Sequence, residues 1–392
     1  MAITGCQTYN LDGVKKAIRS ILKNFGGLES LIEPGQKVAL KPNLLRGAEA
    51  DSAVITHPSV VEAVGEIVLE AGGKPLIIDS PGSGIPYKSK FLKKVYKRCG
   101  YLGINKSIEL NYDCKFESVP FHKGRILKRF EILSPILEAD LIINLPKVKS
   151  HSFTYLSCAV KNLFGVVPGF YKSAYHGRFQ DQESFGRMLI DLCMFLKPGL
   201  TICDGIVGME GDGPSWGKRK MLGVVAVSDN PFLLDFLISN LIGFDPMEIH
   251  YLKQAVHERL CPANISRATI KADKDLEELH VSFEKPITIS NKRLTDSLKK
   301  IILLKLVCNM CEWILSLKPF IDRQSCQGCG ICVKSCPQKA IGLVDNISKI
   351  NYSKCIRCYC CHELCPYESI MLKRSFGLKL LQRFVRDRNN EE

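Results

Sequence analysis

The sequence predicts an α/β protein, a largely parallel sheet covered by helices on both faces, with a small α+β module at the C-terminus. Three observations carry this. Short apolar runs alternate with helix-period stretches over residues 1–290, the pattern of strands buried on both faces and joined by crossover helices. Polar and charged residues follow each apolar run. A cysteine pattern is written twice, as CQGCGICVKSCP at 326–337 and CIRCYCCHELCP at 355–366, 29 residues apart.

The runs Val38-Ala39-Leu40, Leu76-Ile77-Ile78, Leu141-Ile142-Ile143, Leu200-Thr201-Ile202 and Val224-Val225-Ala226-Val227 read as strands, and 11–25, 58–71 and 182–196 as helices. Pro58 opens the second helix and Gly72-Gly73 closes it, the usual asymmetry of start and stop. Asp245-Pro246-Met247-Glu248 has capping-box spacing with proline in the first position. A further strand is expected at Pro286-Ile287-Thr288-Ile289-Ser290. A helix from about 294 to 317, apolar nearly all round, then connects the two parts and should be buried between them. Cys308 and Cys311 fall on this helix and read as core residues. The expected division is 1–290 for the α/β domain, 291–320 for the connector, 321–372 for the cysteine module and 373–392 for a basic tail.

Each cysteine run reads C-x2-C-x2-C-x3-C-P, the spacing that holds two 4Fe-4S clusters, the fourth cysteine of each run serving the other cluster. The first cluster is therefore expected on Cys326, Cys329, Cys332 and Cys365, the second on Cys355, Cys358, Cys361 and Cys336. Pro337 and Pro366 end the loops, and Ile341 and Ile370, equivalent in the repeat, cover the clusters with apolar surface. Cys360 reads as a neighbour, because only Cys361 keeps the x2 spacing. Structural zinc needs four ligands but no eight-cysteine repeat, and disulfides need an oxidising compartment. The segment 321–372 resembles bacterial two-cluster ferredoxins along its whole length, which implies a pseudo-twofold fold and electron transfer.

At 392 residues, 46% hydrophobic and 24% charged, the chain has room for two globular domains. The N-terminus lacks a basic and apolar leader. The longest apolar stretch, 301–317, is broken by Lys305 and Glu312, so neither export nor a transmembrane span is expected. Eighteen cysteines point to a reducing cytoplasm and an anaerobic life. The formal charge of +14 falls to about +10 once thiolates and iron cores are counted. Part of the excess lies in Lys373, Arg374, Lys379, Arg383, Arg386 and Arg388. Such a tail is either simply solvated or docks on an acidic electron carrier or an anionic membrane surface. No nucleic-acid-binding motif accompanies the charge, so nucleic acid is not an expected partner.

Chemistry collects where the apolar runs end: Lys41-Pro42-Asn43, Asp79-Ser80-Pro81-Gly82-Ser83-Gly84, the run from Asn144 to His151, and Asp204-Gly205 with Glu210-Gly211-Asp212-Gly213-Pro214. Ligands of parallel α/β sheets bind beyond the carboxyl ends of the strands. Lys41, Lys147, Lys149 and Lys161 could hold an anionic small molecule, and Asp79, Asp204 and Glu210 could bind a cation or act as acid or base. Each part also has a plainer role: solvated lysines, turn-capping aspartates, a hydrogen-bonded structural His151. The glycines match neither a P-loop nor a G-x-G-x-x-G fingerprint.

Five ordered motifs, LKPNLL (40–45), THP (56–58), ADLIINLPKVKSH (139–151), VKNLFGVVPG (160–169) and DGIVGMEGDGP (204–214), resemble the prokaryotic family called domain of unknown function 362. The likeness covers roughly 35–255, and members often carry an appended two-cluster ferredoxin module. The resemblance implies an α/β domain coupled to iron–sulfur electron transfer, but no reaction. It marks Lys41, Asn43, Lys147, Lys149, His151, Lys161, Asn162, Asp204, Glu210 and Asp212 as site residues. Two functions stand open. In one, a donor of ferredoxin or flavodoxin class reduces the clusters and electrons pass to an anionic substrate. Lys41, Asn43, Asp79, Lys147, Lys149, Lys161, Asn162 and Asp212 bind that substrate, and His151, Asp204 and Glu210 do the chemistry. In the other, the protein is a non-catalytic electron-transfer or assembly factor docking on a partner enzyme.

Overall fold

The computed structural model describes residues 1–82, 84–264, 270–288 and 317–373. In chain order its first strands are β1 (Ala2–Gly5), β2 (Lys37–Pro42), β3 (Lys74–Ile77), β4 (Glu109–Leu110), β5 (Phe116–Pro120), β6 (Arg129–Leu133), β7 (Leu141–Leu145), β8 (Lys147–His151), β9 (Tyr155–Ser157), β10 (Leu200–Glu210), β11 (Lys218–Ser228) and β12 (Lys271–Ala272). β5 and β6 form a ribbon of their own; the other ten make one sheet, ordered β12-β1-β11-β10-β7-β2-β3-β4 with β8 beside β10 and β9 beside β8. β10, β7, β2, β3 and β4 run parallel, and β11 is antiparallel to its neighbours β10 and β1. The mixed α/β class with a mostly parallel sheet is thus as the sequence predicts.

Alternate residues along a strand face opposite sides, and the core divides accordingly. Val38, Leu40, Ile77 and Ile143 pack with the helices Leu11–Leu22, Pro58–Glu70 and Ser89–Arg98. Ala39, Ile78 and Cys203 face the helices Gln182–Leu196, Pro231–Leu241 and His250–His257. Each fully buried aliphatic side chain contributes about 1.5–3 kcal/mol. The helix starts are chemical. Asn10 accepts from Gly13 N, and Asp181 accepts from Ser184 N. Pro58 stands in the first turn behind His57, whose ring accepts from Ser59 N. These caps supply partners for N–H groups that lack intrahelical ones.

Several boundaries differ from expectation. The run at 200–202 continues as one strand to Glu210, and Lys147–His151 is itself a strand rather than the loop after one. The first helix ends at Leu22 and tightens into a 3-10 turn before Gly26. Asp245 caps a single 3-10 turn at Pro246–Glu248, and the following helix starts at His250. Ile287 and Thr288 are helical rather than extended. The rest of that expected strand, the connector helix with Cys308 and Cys311, and the tail beyond Lys373 lie outside the described residues. Among the described residues, no helix is long and apolar enough to cross a membrane.

The C-terminal part consists of β13 (Lys318–Ile321) paired with β16 (Ile370–Lys373), the hairpin of β14 (Ile341–Val344) and β15 (Ile347–Ile350), and two short helices at Ile331–Ser335 and Cys360–Leu364. It starts at Lys318, three residues before the expected boundary. It fits against the sheet through notches made by glycine. A Cβ on Gly82 would lie 2.6 Å from Leu364 Cδ2, one on Gly84 2.9 Å from Ile331 Cγ2, and one on Gly177 3.1 Å from Pro337 Cβ. Trp216 Nε1 donates to His362 O at 2.9 Å, and Arg46 stacks over the Trp216 ring at 4.3 Å. Gly82→Val is therefore expected to destabilise the protein by about 1–3 kcal/mol through overpacking against Leu364. Chemical denaturation checks this, and an unchanged midpoint would mean that Leu364 moves aside without loss.

Candidate functional site

The predicted lysines divide into two kinds. Lys41, at the end of β2, lies 2.9 Å from Asp79 Oδ1 and donates to Pro42 O at 2.7 Å; Asp79 Oδ2 accepts from Leu44 N. Burial pulls the Lys41 ammonium down and pushes the Asp79 carboxyl up, and their mutual attraction opposes both shifts. Lys147 stands opposite Asp204 in the β8–β10 register. Its Nζ is 2.9 Å from Asp204 Oδ2 and donates to Tyr9 Oη at 2.5 Å, while Tyr9 Oη donates to Asp204 Oδ1 at 2.9 Å. His57 N also donates to this carboxylate, and the His57 ring stacks on Tyr9 with centroids 3.8 Å apart. Both lysines therefore face carboxylates of the chain itself, in buried pairs.

A ladder of amides joins the strand ends. Asn162 Nδ2 donates to Asn144 Oδ1 and Lys41 O, Asn43 Nδ2 donates to Asn162 Oδ1, and Lys149 Nζ donates to Asn43 Oδ1 and Val54 O. Glu210 and Asp212 do not join this group. Their carboxylates accept from Glu284 N and Ile287 N and so tie down the segment after Phe283. The expectation of one polar floor from four strand ends is corrected at these two residues, because β10 runs on for half its length past Asp204.

The remaining predicted groups meet the C-terminal module. His151 is buried, and its Nδ1 accepts from Phe153 N and Thr154 N, which leaves the proton on Nε2. That Nε2 lies 3.5 Å from Glu363 Oε1 on the helix Cys360–Leu364. Burial holds His151 well below its ordinary value, and Lys161, His176, Lys149 and His362 add to the depression. Burial pushes the Glu363 carboxyl up to about 7, against the pull of Lys161 and Lys149. Lys161, half-buried, lies over the rings of Phe164 and Phe185 at 5.0 and 5.9 Å. Among the described residues, its ammonium has no hydrogen-bond partner. Glu363 Oε1, His362 Nε2 and His176 Nδ1 are buried without a partner as well. Buried polar atoms are rarely left so, and their convergence on His151 defines the candidate site.

The first predicted cysteine set is brought together. One enclosed pocket is lined by Cys326, Cys329, Cys332 and Cys365, with Ile321, Ile331 and Ile370 completing its wall. Cys361 lies within electrostatic reach of Cys358, Cys355 and Cys336, and also of Cys332 from the first set. The two loops share one backbone shape: Gly328 and Arg357, Gly330 and Tyr359, Lys339 and Glu368 are all left-handed, each pair 29 residues apart. Non-glycine residues held there cost roughly 1–2 kcal/mol each, so the wrapping of cysteines is imposed twice, against local preference in the second copy. Among the described residues, no three metal-binding side chains approach closely enough for a single ion, whereas the ligands of a four-iron body stand further apart. The residues fit the clusters. Cys360, buried beside Cys358, lies within electrostatic reach of Lys161.

Sequence reasoning named Lys149, His151 and Lys161 but not Glu363, His362, His176 or Cys360. Glu363 and His362 sit inside the second cysteine run, in CCHELCP, where spacing speaks only of cysteines. His176 carried no signal beyond being a histidine in a helix-period stretch.

Together, the sheet with its polar strand ends and the doubled cysteine loops define an α/β protein joined to an iron–sulfur module. A model of a 4Fe-4S dicluster domain matches residues 318–366, which gives the chain 4Fe-4S clusters and an electron-transfer role. A model of a domain of unknown function (DUF362) matches residues 38–240, and the chain belongs to that family. It is 36% identical over 261 residues to a thylakoid-associated protein of Synechocystis sp., covering 65% of this chain and 77% of the relative. Over 59 residues it is 36% identical to the pyruvate synthase subunit PorD of Methanothermobacter marburgensis, covering 15% of this chain and 69% of that subunit. Among solved structures, the lactate racemase apoprotein from Thermoanaerobacterium thermosaccharolyticum overlaps 58% of this chain and 53% of its own at 16% identity. Its TM-score of 0.38 is too slight to assign the fold.

Proposed function

We propose that the protein is an oxidoreductase of the reducing cytoplasm that passes electrons from two 4Fe-4S clusters to a small anion held at the strand ends of the α/β domain. One observation carries the reading: Glu363, on the helix that also bears Cys361, meets His151 of β8 among unpartnered polar atoms. Cys326, Cys329, Cys332 and Cys365 would hold one cluster, and Cys355, Cys358, Cys361 and Cys336 the other. When bound, the clusters supply single electrons at low potential.

The chain's own residues do the rest. Lys161 and Lys149 attract the anion and offset charge that develops on it, an effect strengthened where water is excluded. His151, held by two backbone N–H groups in one tautomer, can donate a hydrogen bond from Nε2 to the bound molecule. Lys147–Asp204 and Lys41–Asp79 hold the strand ends in register beneath it. The sheet domain up to about residue 290 thus positions the substrate, and the module from about 318 delivers electrons received from an acidic ferredoxin- or flavodoxin-class protein.

The test is anaerobic reoxidation. Protein reduced with dithionite and desalted is expected to reoxidise when given the small-molecule fraction of a cell extract, and Lys161→Met to do so at least tenfold more slowly with its iron content intact. Reoxidation by the protein fraction alone would instead favour the second reading, a non-catalytic carrier that docks on a partner enzyme. That reading has its own support in the net charge of +14.

A further inference from the structure

We propose that Ser348 raises the reduction potential of the cluster on Cys326, Cys329, Cys332 and Cys365 by donating a hydrogen bond to the Cys332 thiolate, and that the repeat gives the second cluster no such donor at the matching position. This rests on the cluster assignment above. Ser348 lies in β15 and is buried. Its Oγ is 3.1 Å from Cys332 Sγ, and it lines the same enclosed pocket as Cys326, Cys329, Cys332 and Cys365. A ligating thiolate carries no proton, so the hydroxyl is the donor there.

The two copies of the module differ at this point. β13 and β15 begin at Lys318 and Ile347, as far apart as the two cysteine runs, and their partners β16 and β14 keep the same spacing. Ser348 sits opposite Leu343 in one ladder, and Pro319 opposite Leu372 in the other. Pro319 therefore holds the place of Ser348 and is buried likewise, with neither a hydroxyl nor a backbone N–H to give. The second loop differs in another way. Arg357 stands where the first loop has Gly328, within electrostatic reach of Cys355. Ser348 acts on the first cluster, whatever Arg357 adds at the second.

The direction of the effect follows from where the electron's charge goes. Reduction adds one negative charge to the irons and their thiolates, and a donor aimed at a thiolate stabilises the reduced form more than the oxidised one. The contact is buried, where a hydrogen bond is electrostatically stronger than in water. Other groups around this cluster keep their charge when Ser348 is changed. The Ser369 hydroxyl, in the same pocket, donates to Tyr367 O at 3.3 Å. Asp322 accepts from the Ser325 hydroxyl and lies within electrostatic reach of Cys326, and Arg46 lies within reach of Cys365. Replacing Ser348 alone therefore isolates the hydroxyl.

The experiment is a redox titration of anaerobically purified, cluster-loaded full-length protein, followed by electron paramagnetic resonance. Ser348→Ala is expected to move one of the two one-electron steps to lower potential and leave the other in place. The moved step should lose roughly three- to tenfold in its equilibrium constant, tenfold being about 59 mV. Two further variants separate the hydroxyl from packing. Ser348→Thr keeps the hydroxyl and should stay near the unmutated value, whereas Ser348→Val, of the same shape without it, should match Ser348→Ala. Three results would overturn the inference: steps unmoved in Ser348→Ala, both steps lowered equally, or equal potentials in the Thr and Val variants. Unmutated protein with fewer than about eight irons per chain would overturn the cluster assignment and this inference together. About eight irons with an unmoved step would sink the inference alone.

Discussion

Replacing Cys361 with alanine is expected to lower iron and acid-labile sulfide from about eight of each per chain to about four. Cys361 is the third cysteine of its loop and lies in the first turn of the helix that carries His362, Glu363 and Leu364 onto the sheet. On the proposed assignment its thiolate is both a cluster ligand and the anchor of that turn. Metal sites contribute to folding as well as chemistry, so a lower unfolding temperature should accompany the lost iron. Elemental analysis and electron paramagnetic resonance of the reduced protein give the count. Cys360→Ala is the matched control and should keep about eight irons. An iron content that falls in Cys360→Ala and holds in Cys361→Ala would exchange the roles of these neighbours.

The second large effect is expected at Asp204. Its carboxylate accepts from Lys147 Nζ, Tyr9 Oη and His57 N in a fully buried place. Asp204→Ala strands the Lys147 ammonium without its counter-charge, and breaking such a pair from one side costs about 3–5 kcal/mol. The double replacement Lys147→Met with Asp204→Leu removes both charges together and should recover much of that loss. Denaturant midpoints measure all three proteins. A single mutant that loses less than about 1 kcal/mol would place Asp204 outside the structural network and return it to the candidates for proton transfer.

The difference between the lysines could not be read from the chain alone. Lys41, Lys147, Lys149 and Lys161 all follow or begin apolar runs; Lys41 ends a strand as expected, whereas Lys147 and Lys149 fall within β8. What separates them is the partner each meets. Tyr9 and Asp79 come from distant positions, and a sequence pattern carries no information on which side chains fill the same few ångströms. Glu363 is the sharper case, since it reaches the sheet from the far end of the chain. Glu210 and Asp212 misled for the opposite reason. Their glycine-rich surroundings resemble a ligand loop, but β10 carries them past the strand ends, and they secure a neighbouring segment instead. The cysteine spacing was the most legible feature, because four thiolates around one body admit few alternatives. Even so, Arg357 and Tyr359 adopt the shape for which the first copy uses Gly328 and Gly330, a substitution that local preference alone would have argued against.

The glycine notches have a consequence for the history of the molecule. Modules strung on a flexible linker can be traded between genes, since neither end depends on the other's surface. Here Gly82, Gly84 and Gly177 give up side chains of their own to receive Leu364, Ile331 and Pro337. A borrowed ferredoxin without those three protrusions would leave open hollows where the donor molecule had none. At Gly82 and Gly84 a larger residue could therefore enter only if Leu364 or Ile331 were cut back at the same time.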